Sequence, residues 1–187
     1  MTVGIVIPLK AKRVSRDWNA AASALKRTLN SIFNQSDDDY FVVITGHDCP
    51  EFLMHSDNNK VDFIEASFPA PDRNSEGFVP QDLINDKNLK IISGLYALRN
   101  KKLSFIFQLD SDDLLHKDFI ASLKAYKSFD AMILQGGYLY YQSSERYIET
   151  VELDQYCGST VVVRAGSFEM PTEVSLDMIY QVPWTRY

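Results

Sequence analysis

The chain has 187 residues, 45% hydrophobic and 24% charged, the composition of one globular domain with a buried core. Its formal net charge of −6 excludes a nucleic-acid footprint, which needs a basic face; an anionic ligand stays compatible through a bound cation. Two distant cysteines, Cys49 and Cys157, make no disulfide framework, so a reducing, cytoplasmic setting is expected.

Val3 to Ile7, closed by Pro8, is an apolar run that reads as a buried strand of a parallel sheet. A basic loop, Lys10 to Arg16, follows. From Asp17, a suitable N-cap, a helical pattern places Trp18, Ala22, Leu25, Leu29 and Ile32 on one face. Tyr40 to Thr45 is a second buried strand, stopped by Gly46 and Pro50, and Val61 to Ala66 a third. Pro69 to Pro80 carries three prolines and Gly77 and reads as a loop. Asp86 to Arg99 is predicted helical, with Leu89, Ile92, Leu95 and Leu98 in one stripe. Leu103 to Leu109 is the strongest strand signal and runs straight into Asp110-Ser-Asp-Asp113. A helix beginning near Leu114 aligns Leu115, Phe119, Leu123 and Tyr126. Then Ala131 to Leu134, Tyr138 to Tyr141, Tyr147 to Glu152 and Thr160 to Val163 read as strands in quick succession, with Gly136-Gly137 as a turn.

Strands alternating with helices predict a mostly parallel sheet with helices on both faces and a strand-rich C-terminal part. Residues 1–187 read as one domain. Ligands of such sheets bind beyond the carboxyl ends of the strands, and Asp110 to Asp113 falls at such an end. If extended geometry persists, Asp110 and Asp112 point to the same side, and two close carboxylates repel unless a cation or a proton intervenes. Hard oxygen ligands suit Mn²⁺ or Mg²⁺. The plainer reading makes Asp112 or Asp113 a cap for the next helix, which leaves Asp110 unexplained.

Here the chain resembles the family-two inverting glycosyltransferases of the GT-A fold. The resemblance is carried by Ile5-Val-Ile-Pro8, by Leu25 to Gln35 with its closing Ser-Ile-x-x-Gln, by Phe105 to Asp113, and by Tyr156 to Arg164. It implies a nucleotide-diphosphate sugar donor, with uridine the commonest base, and a glycan or glycoconjugate acceptor. It also implies transfer by single displacement, in which a carboxylate deprotonates the acceptor hydroxyl while the metal holds the diphosphate. Residues 1–113 would be the nucleotide-sugar half and 114–187 the acceptor half, reduced relative to the family. By resemblance Pro8, Asp48, Lys87 and Asp110 meet the nucleotide sugar, Asp110 and Asp112 hold the metal, and Asp177 or Glu173 is the base. Two positions depart from the family pattern: Thr45-Gly-His-Asp48 offers only Asp48 where an acidic pair is common, and Ile92 stands where an asparagine is usual.

Other residues carry two readings each. Lys87 meets a diphosphate or is solvated; Lys10 and Arg13 lie at the ligand edge or form a solvated basic loop. Cys157 packs as a small apolar residue. Tyr138, Tyr140, Tyr141 and Tyr147 stack on a sugar or cover a sheet, and Trp184 is an acceptor-site aromatic or a terminal anchor. A non-catalytic nucleotide- or sugar-binding relative is the rival expectation. A nucleotidyltransferase would want a glycine-rich loop after the first strand, which Val3 to Arg16 lacks. The start of the chain, Met1 to Lys10, turns polar too quickly for a signal peptide, and no apolar run reaches the length of a membrane span. Peripheral contact with the inner face of a membrane stays open.

Overall fold

A computed structural model describes residues 1–54, 58–126, 129–141 and 143–185. The first half follows the predicted order, β1 (Val3–Pro8), α1 (Trp18–Phe33), β2 (Tyr40–Gly46), β3 (Val61–Glu65), α3 (Pro80–Leu98) and β4 (Phe105–Gln108), with an unpredicted single turn, α2 (Glu51–Met54), between β2 and β3. After α4 (Phe119–Ala125) come β5 (Ala131–Ile133), β6 (Gly137–Tyr141), β7 (Arg146–Thr150) and β8 (Val161–Arg164). Six strands form one sheet in the order β3-β2-β1-β4-β8-β5, while β6 and β7 pair only with each other. The first four strands of the sheet run parallel; β8 is antiparallel to both β4 and β5. The chain thus has the GT-A-like α/β architecture, a mostly parallel central sheet with helices on both faces.

β1 lies at the centre, and all six of its residues are buried. Side chains alternate along it, so its two faces feed two cores. Val3, Ile5 and Ile7 pack with Leu25, Leu29 and Ile32 of α1 and with Ile120 and Leu123 of α4. Val6 packs with Ile91, Ile92 and Leu95 of α3 and with Met178, Ile179 and Trp184 of the C-terminal segment. α3 comes so close to β1 that a Cβ on Gly94 would stand 2.5 Å from Val6 Cγ1. Asp17 caps α1 as expected, accepting the Ala20 N–H at 2.9 Å. No described helix is long and apolar enough to cross a membrane.

Three boundaries differ from the sequence reading. α3 starts six residues before Asp86, because Pro80 opens it with a preset φ and Asp82 accepts the Val79 N–H at 3.0 Å. Its buried face is Ile91, Ile92, Leu95 and Leu98, with Leu89 only half-buried. α4 starts at Phe119, five residues after Leu114, so neither Asp112 nor Asp113 caps it. The intervening segment is held by α1 instead. Thr28 Oγ donates to the Ser111 carbonyl at 3.0 Å, Ser31 Oγ accepts the Leu115 N–H at 3.1 Å, and Gln35 both donates to the His116 carbonyl at 2.8 Å and accepts the Ile120 N–H at 3.0 Å. These bonds satisfy backbone groups that a helix would otherwise have paired internally. Gly137 opens β6 instead of sitting in a turn, with Leu153 packed where its side chain would be.

Candidate functional site

The carboxyl ends of β1 and β4 and the first turns of α3 enclose a cleft of about 230 Å³, bordered by Pro8, Lys10, Asp86, Lys87, Asp110 and Asp112, among others. Small-molecule sites usually exceed ~300 Å³, so a ligand the size of a nucleotide sugar must extend beyond it. Four residues that the sequence singled out, Pro8, Lys87, Asp110 and Asp112, therefore meet at one place.

Asp110 and Asp112 do not converge by strand alternation, as expected, because β4 ends at Gln108 and the chain turns. The Asp113 N–H donates back to the Asp110 carbonyl at 3.2 Å. The turn brings both carboxylates to the same cleft. Asp110 is well supplied with donors: Lys87 Nζ lies 2.8 Å from Oδ1 and 3.0 Å from Oδ2, and Gln108 Nε2 donates to Oδ1 at 2.8 Å. Asp112 has no ion-pair partner among the described residues. Although the residue is exposed overall, desolvation on its inner side, then Asp113 and Asp110, raise its carboxyl above the usual range, opposed by its own backbone N–H and by the Lys87 charge. The two acids thus divide their roles: Asp110 is fixed in place, and Asp112 carries the unmet demand for positive charge.

The acidic turn is also pinned from the tail. Asp110 N–H donates to Ser159 Oγ at 2.7 Å, the Cys157 thiol donates to Asp113 Oδ2 at 3.1 Å, and Ser159 N–H donates to Cys157 Sγ at 3.3 Å. Burial, with the Asp113 partner added, pushes the Cys157 thiol up to about 12, so it stays protonated and works as a donor. Cys157 is therefore more than the apolar filler its sequence suggested. Its contact partner lies 44 residues away, beyond any local pattern.

Sequence reasoning also missed a buried chain of polar groups. His47 Nε2 lies 2.8 Å from Asp86 Oδ1, and Lys90 Nζ donates to Asp86 Oδ2 at 2.6 Å. Lys90 is 1% exposed; burial lowers its ammonium from the ordinary range, and Asp86 opposes that shift. The one available signal was the i,i+4 spacing of Asp86 and Lys90. Asp86, not Asp48, is the acid of this region that borders the cleft. Asp48 accepts the Lys12 N–H at 2.8 Å and so shapes the basic loop. Arg13 in that loop pairs with Asp72, whereas Lys10 borders the cleft with no ion-pair partner among the described residues.

Asp177 and Glu173 are exposed and do not border the cleft. Met178 and Ile179 fasten their segment to the α3 side of the sheet, and Glu173 accepts a hydrogen bond from Ser175 Oγ at 2.9 Å. Trp184 is the terminal anchor of its two readings: it is buried, and its indole N–H donates to the Val161 carbonyl at 2.9 Å.

No family model and no curated protein matches the chain. Among solved structures it is similar to TarS 1–349 of S. aureus, at 11% identity and a TM-score of 0.47 over 97% of this chain and 54% of that one. It is also similar to the 4-diphosphocytidyl-2C-methyl-D-erythritol synthase of Anaerococcus prevotii, at 11% identity and a TM-score of 0.48 over 87% of this chain and 70% of that one. The chain thus spans about half the length of the TarS structure. Function has to be read from the chemistry of the cleft itself.

Proposed function

We propose that the chain is a glycosyltransferase that takes a sugar from a nucleotide-diphosphate donor, with a uridine diphosphate sugar the first to try, and passes it to a glycan or glycoconjugate. One observation carries this reading. The cleft is lined by three lysines, Lys10, Lys87 and Lys90, and three aspartates, Asp86, Asp110 and Asp112, so its formal charges cancel. A diphosphate entering it brings negative charge that these lysines, two of them already paired with aspartates, do not neutralise. A divalent cation does. Asp112, with Asp110 beside it, offers the hard oxygen donors that Mn²⁺ or Mg²⁺ takes, and two carboxylates alone do not fill its coordination sphere. That fits an ion that keeps open positions for phosphate oxygens and water. When bound, such an ion supplies charge stabilisation for the departing diphosphate.

The chain's own residues then have distinct tasks. Lys10, without an ion pair among the described residues, would meet the anionic end of the donor. Lys87 holds Asp110 in register and lies within reach of the same phosphates. Pro8, at the end of β1, forms the apolar wall. Ser159 and Cys157 hold the acidic turn so that its carboxylates do not have to reorganise on binding. Transfer forms a bond from the acceptor oxygen to the anomeric carbon, breaks the bond from that carbon to the diphosphate and releases the acceptor's hydroxyl proton to water, since neither Asp177 nor Glu173 borders the cleft to take it.

A second reading, a non-catalytic nucleotide- or sugar-binding relative, is favoured by one observation: neither Asp177 nor Glu173 borders the cleft. Titration with UDP-sugars in the presence and absence of Mn²⁺, followed by assay of donor hydrolysis, separates the two. Asp112→Asn is expected to lose the Mn²⁺-dependent part of binding and of hydrolysis while melting like the parent. If the variant binds and turns over the donor as the parent does, the assignment of the site fails. Binding without turnover supports the second reading.

A further inference from the structure

Away from the cleft, the molecule carries two faces of opposite charge. The first is a groove of about 740 Å³ between α1 and α2, lined by Lys12, Trp18, Lys26, Phe52 and Met54, among others, with Glu51 its one acid. Its surroundings are basic: from Lys10 to Ser36 the chain holds six cations against one acid, Asp17, although its net charge is −6. Lys12 and Lys26 are exposed and join no ion pair among the described residues.

The second face belongs to the β6–β7 hairpin. Its register sets Tyr140 opposite Tyr147 and Tyr138 opposite Glu149. Opposed side chains point the same way, so these three tyrosines and Glu149 share one side. The rings of Tyr140 and Tyr147 stack at 4.7 Å between centroids. Tyr138, Tyr140 and Tyr147 are 62%, 43% and 63% exposed, which removes the reading that they cover a sheet. The segment from Gly137 to Tyr156 holds Glu145, Glu149, Glu152 and Asp154 against one cation, Arg146. None of these acids joins an ion pair among the described residues. Exposed aromatic faces rimmed by polar groups mark interaction surfaces, and a two-stranded ribbon is marginal until something packs on it.

The two faces match in shape, chemistry and sign. A groove is concave, which a flat bilayer does not follow, and a hairpin is the narrow, convex ribbon that a groove admits. Lysines meet tyrosine rings as well as carboxylates; Lys26 Nζ already lies 5.9 Å from the centroid of the Phe52 ring. Trp18 and Phe52 add rings that pair with tyrosine. One copy does not fill its own groove: no described hairpin residue lines it, and in the sheet β8, β4 and β1 stand between β5, from which the hairpin leaves, and β2, which precedes α2. Hairpin on hairpin, or groove on groove, would set like charges together. We propose that copies of this chain associate head to tail, with the tyrosine face of one hairpin seated in the α1–α2 groove of the next and Glu149 against Lys12 and Lys26. The contact is heterologous, and it does not rest on the glycosyl-transfer reading.

The test is sedimentation of the full chain over a concentration series. The wild type is expected to self-associate at about 0.1 M salt and to shift toward monomer at about 1 M, where the screening length shrinks from about 10 Å to about 3 Å. Lys12→Glu/Lys26→Glu spoils the groove and keeps the hairpin; Tyr147→Ala/Glu149→Gln spoils the hairpin and keeps the groove. Each is expected to lose self-association. Mixed, they are expected to form a one-to-one pair and stop there, because only one intact hairpin and one intact groove remain, an outcome that a symmetric contact does not give. If the charge reversal prevents folding, Lys12→Gln/Lys26→Gln takes its place. The proposal is overturned if the wild type stays monomeric at low salt, including a monomer that binds vesicles of anionic lipid through Lys12 and Lys26. It also falls if either folded variant associates like the wild type, or if the mixture fails to pair.

Discussion

β1 and the two strands of the β6–β7 hairpin all read as strands in the sequence, and the fold treats them oppositely. β1 is buried on both faces between α1 and α3. Most of the hairpin's described residues are exposed. The difference lies in what the neighbouring sequence provides. β1 is a continuous apolar run flanked by amphipathic helices, which is how a parallel strand is covered. The hairpin is short, places tyrosines on one face and is followed by acidic turns, and its strands pair only with each other. One region spends its side chains on packing, and the other leaves them available.

Substitutions should therefore be severe around β1 and nearly silent in the hairpin. The largest effect is expected from Asp86→Ala. It strands a buried ammonium on Lys90 and removes the partner of His47, and breaking such a pair from one side costs about 3–5 kcal/mol. Urea unfolding should show this, and a variant replacing both Asp86 and Lys90 by apolar residues of similar size should recover much of the loss. Gly94→Ala comes next, at about 1–3 kcal/mol, because the new methyl group must displace Val6; an unchanged urea midpoint would mean that α3 does not approach β1 as described.

A smaller effect concerns acid. The Thr2 hydroxyl, the N-terminal ammonium and Lys124 together hold the Asp39 carboxyl down at about 2, against an ordinary 3.8. A depressed carboxyl stabilises the fold above its unfolded value and loses that contribution as pH falls from about 3.8 through about 2. With both partners of the terminal pair 39% exposed, solvent screening keeps this below about 1 kcal/mol. Asp39→Asn should flatten the acid limb of stability over that window, costing up to that amount at neutral pH and almost nothing below about pH 2. The smallest effect belongs to Tyr147→Ala, within about 0.5 kcal/mol of the parent. A loss near that of Asp86→Ala would show the hairpin to be part of the folding core and would erase the contrast.

The apolar β4 run with the acids that end it, the first helix with its cap and the alternating order were legible because each rests on local periodicity and on side-chain preferences a few residues apart. Ser31 and Gln35 could be singled out as a pattern, but what they do was not legible: they replace the missing first turn of the following helix by bonding a segment more than 80 residues away. The same holds for α3, whose buried Asp86 and Lys90 interrupt the apolar stripe that periodicity looks for.

By itself, then, the sequence determined the sheet-forming runs, the helices that cover them and the acids that end the central strand next to β1, since these follow from the period and polarity of short segments. Tertiary structure decided which of the acids meets the cleft, which lysine is spent on an aspartate, that Cys157 serves the acidic turn, and that the tyrosines stay uncovered. The reason is physical. A charge or a hydrogen-bonding group takes its role from whichever partner comes within about 3 Å, and those partners are brought together by chain segments that local pattern does not connect.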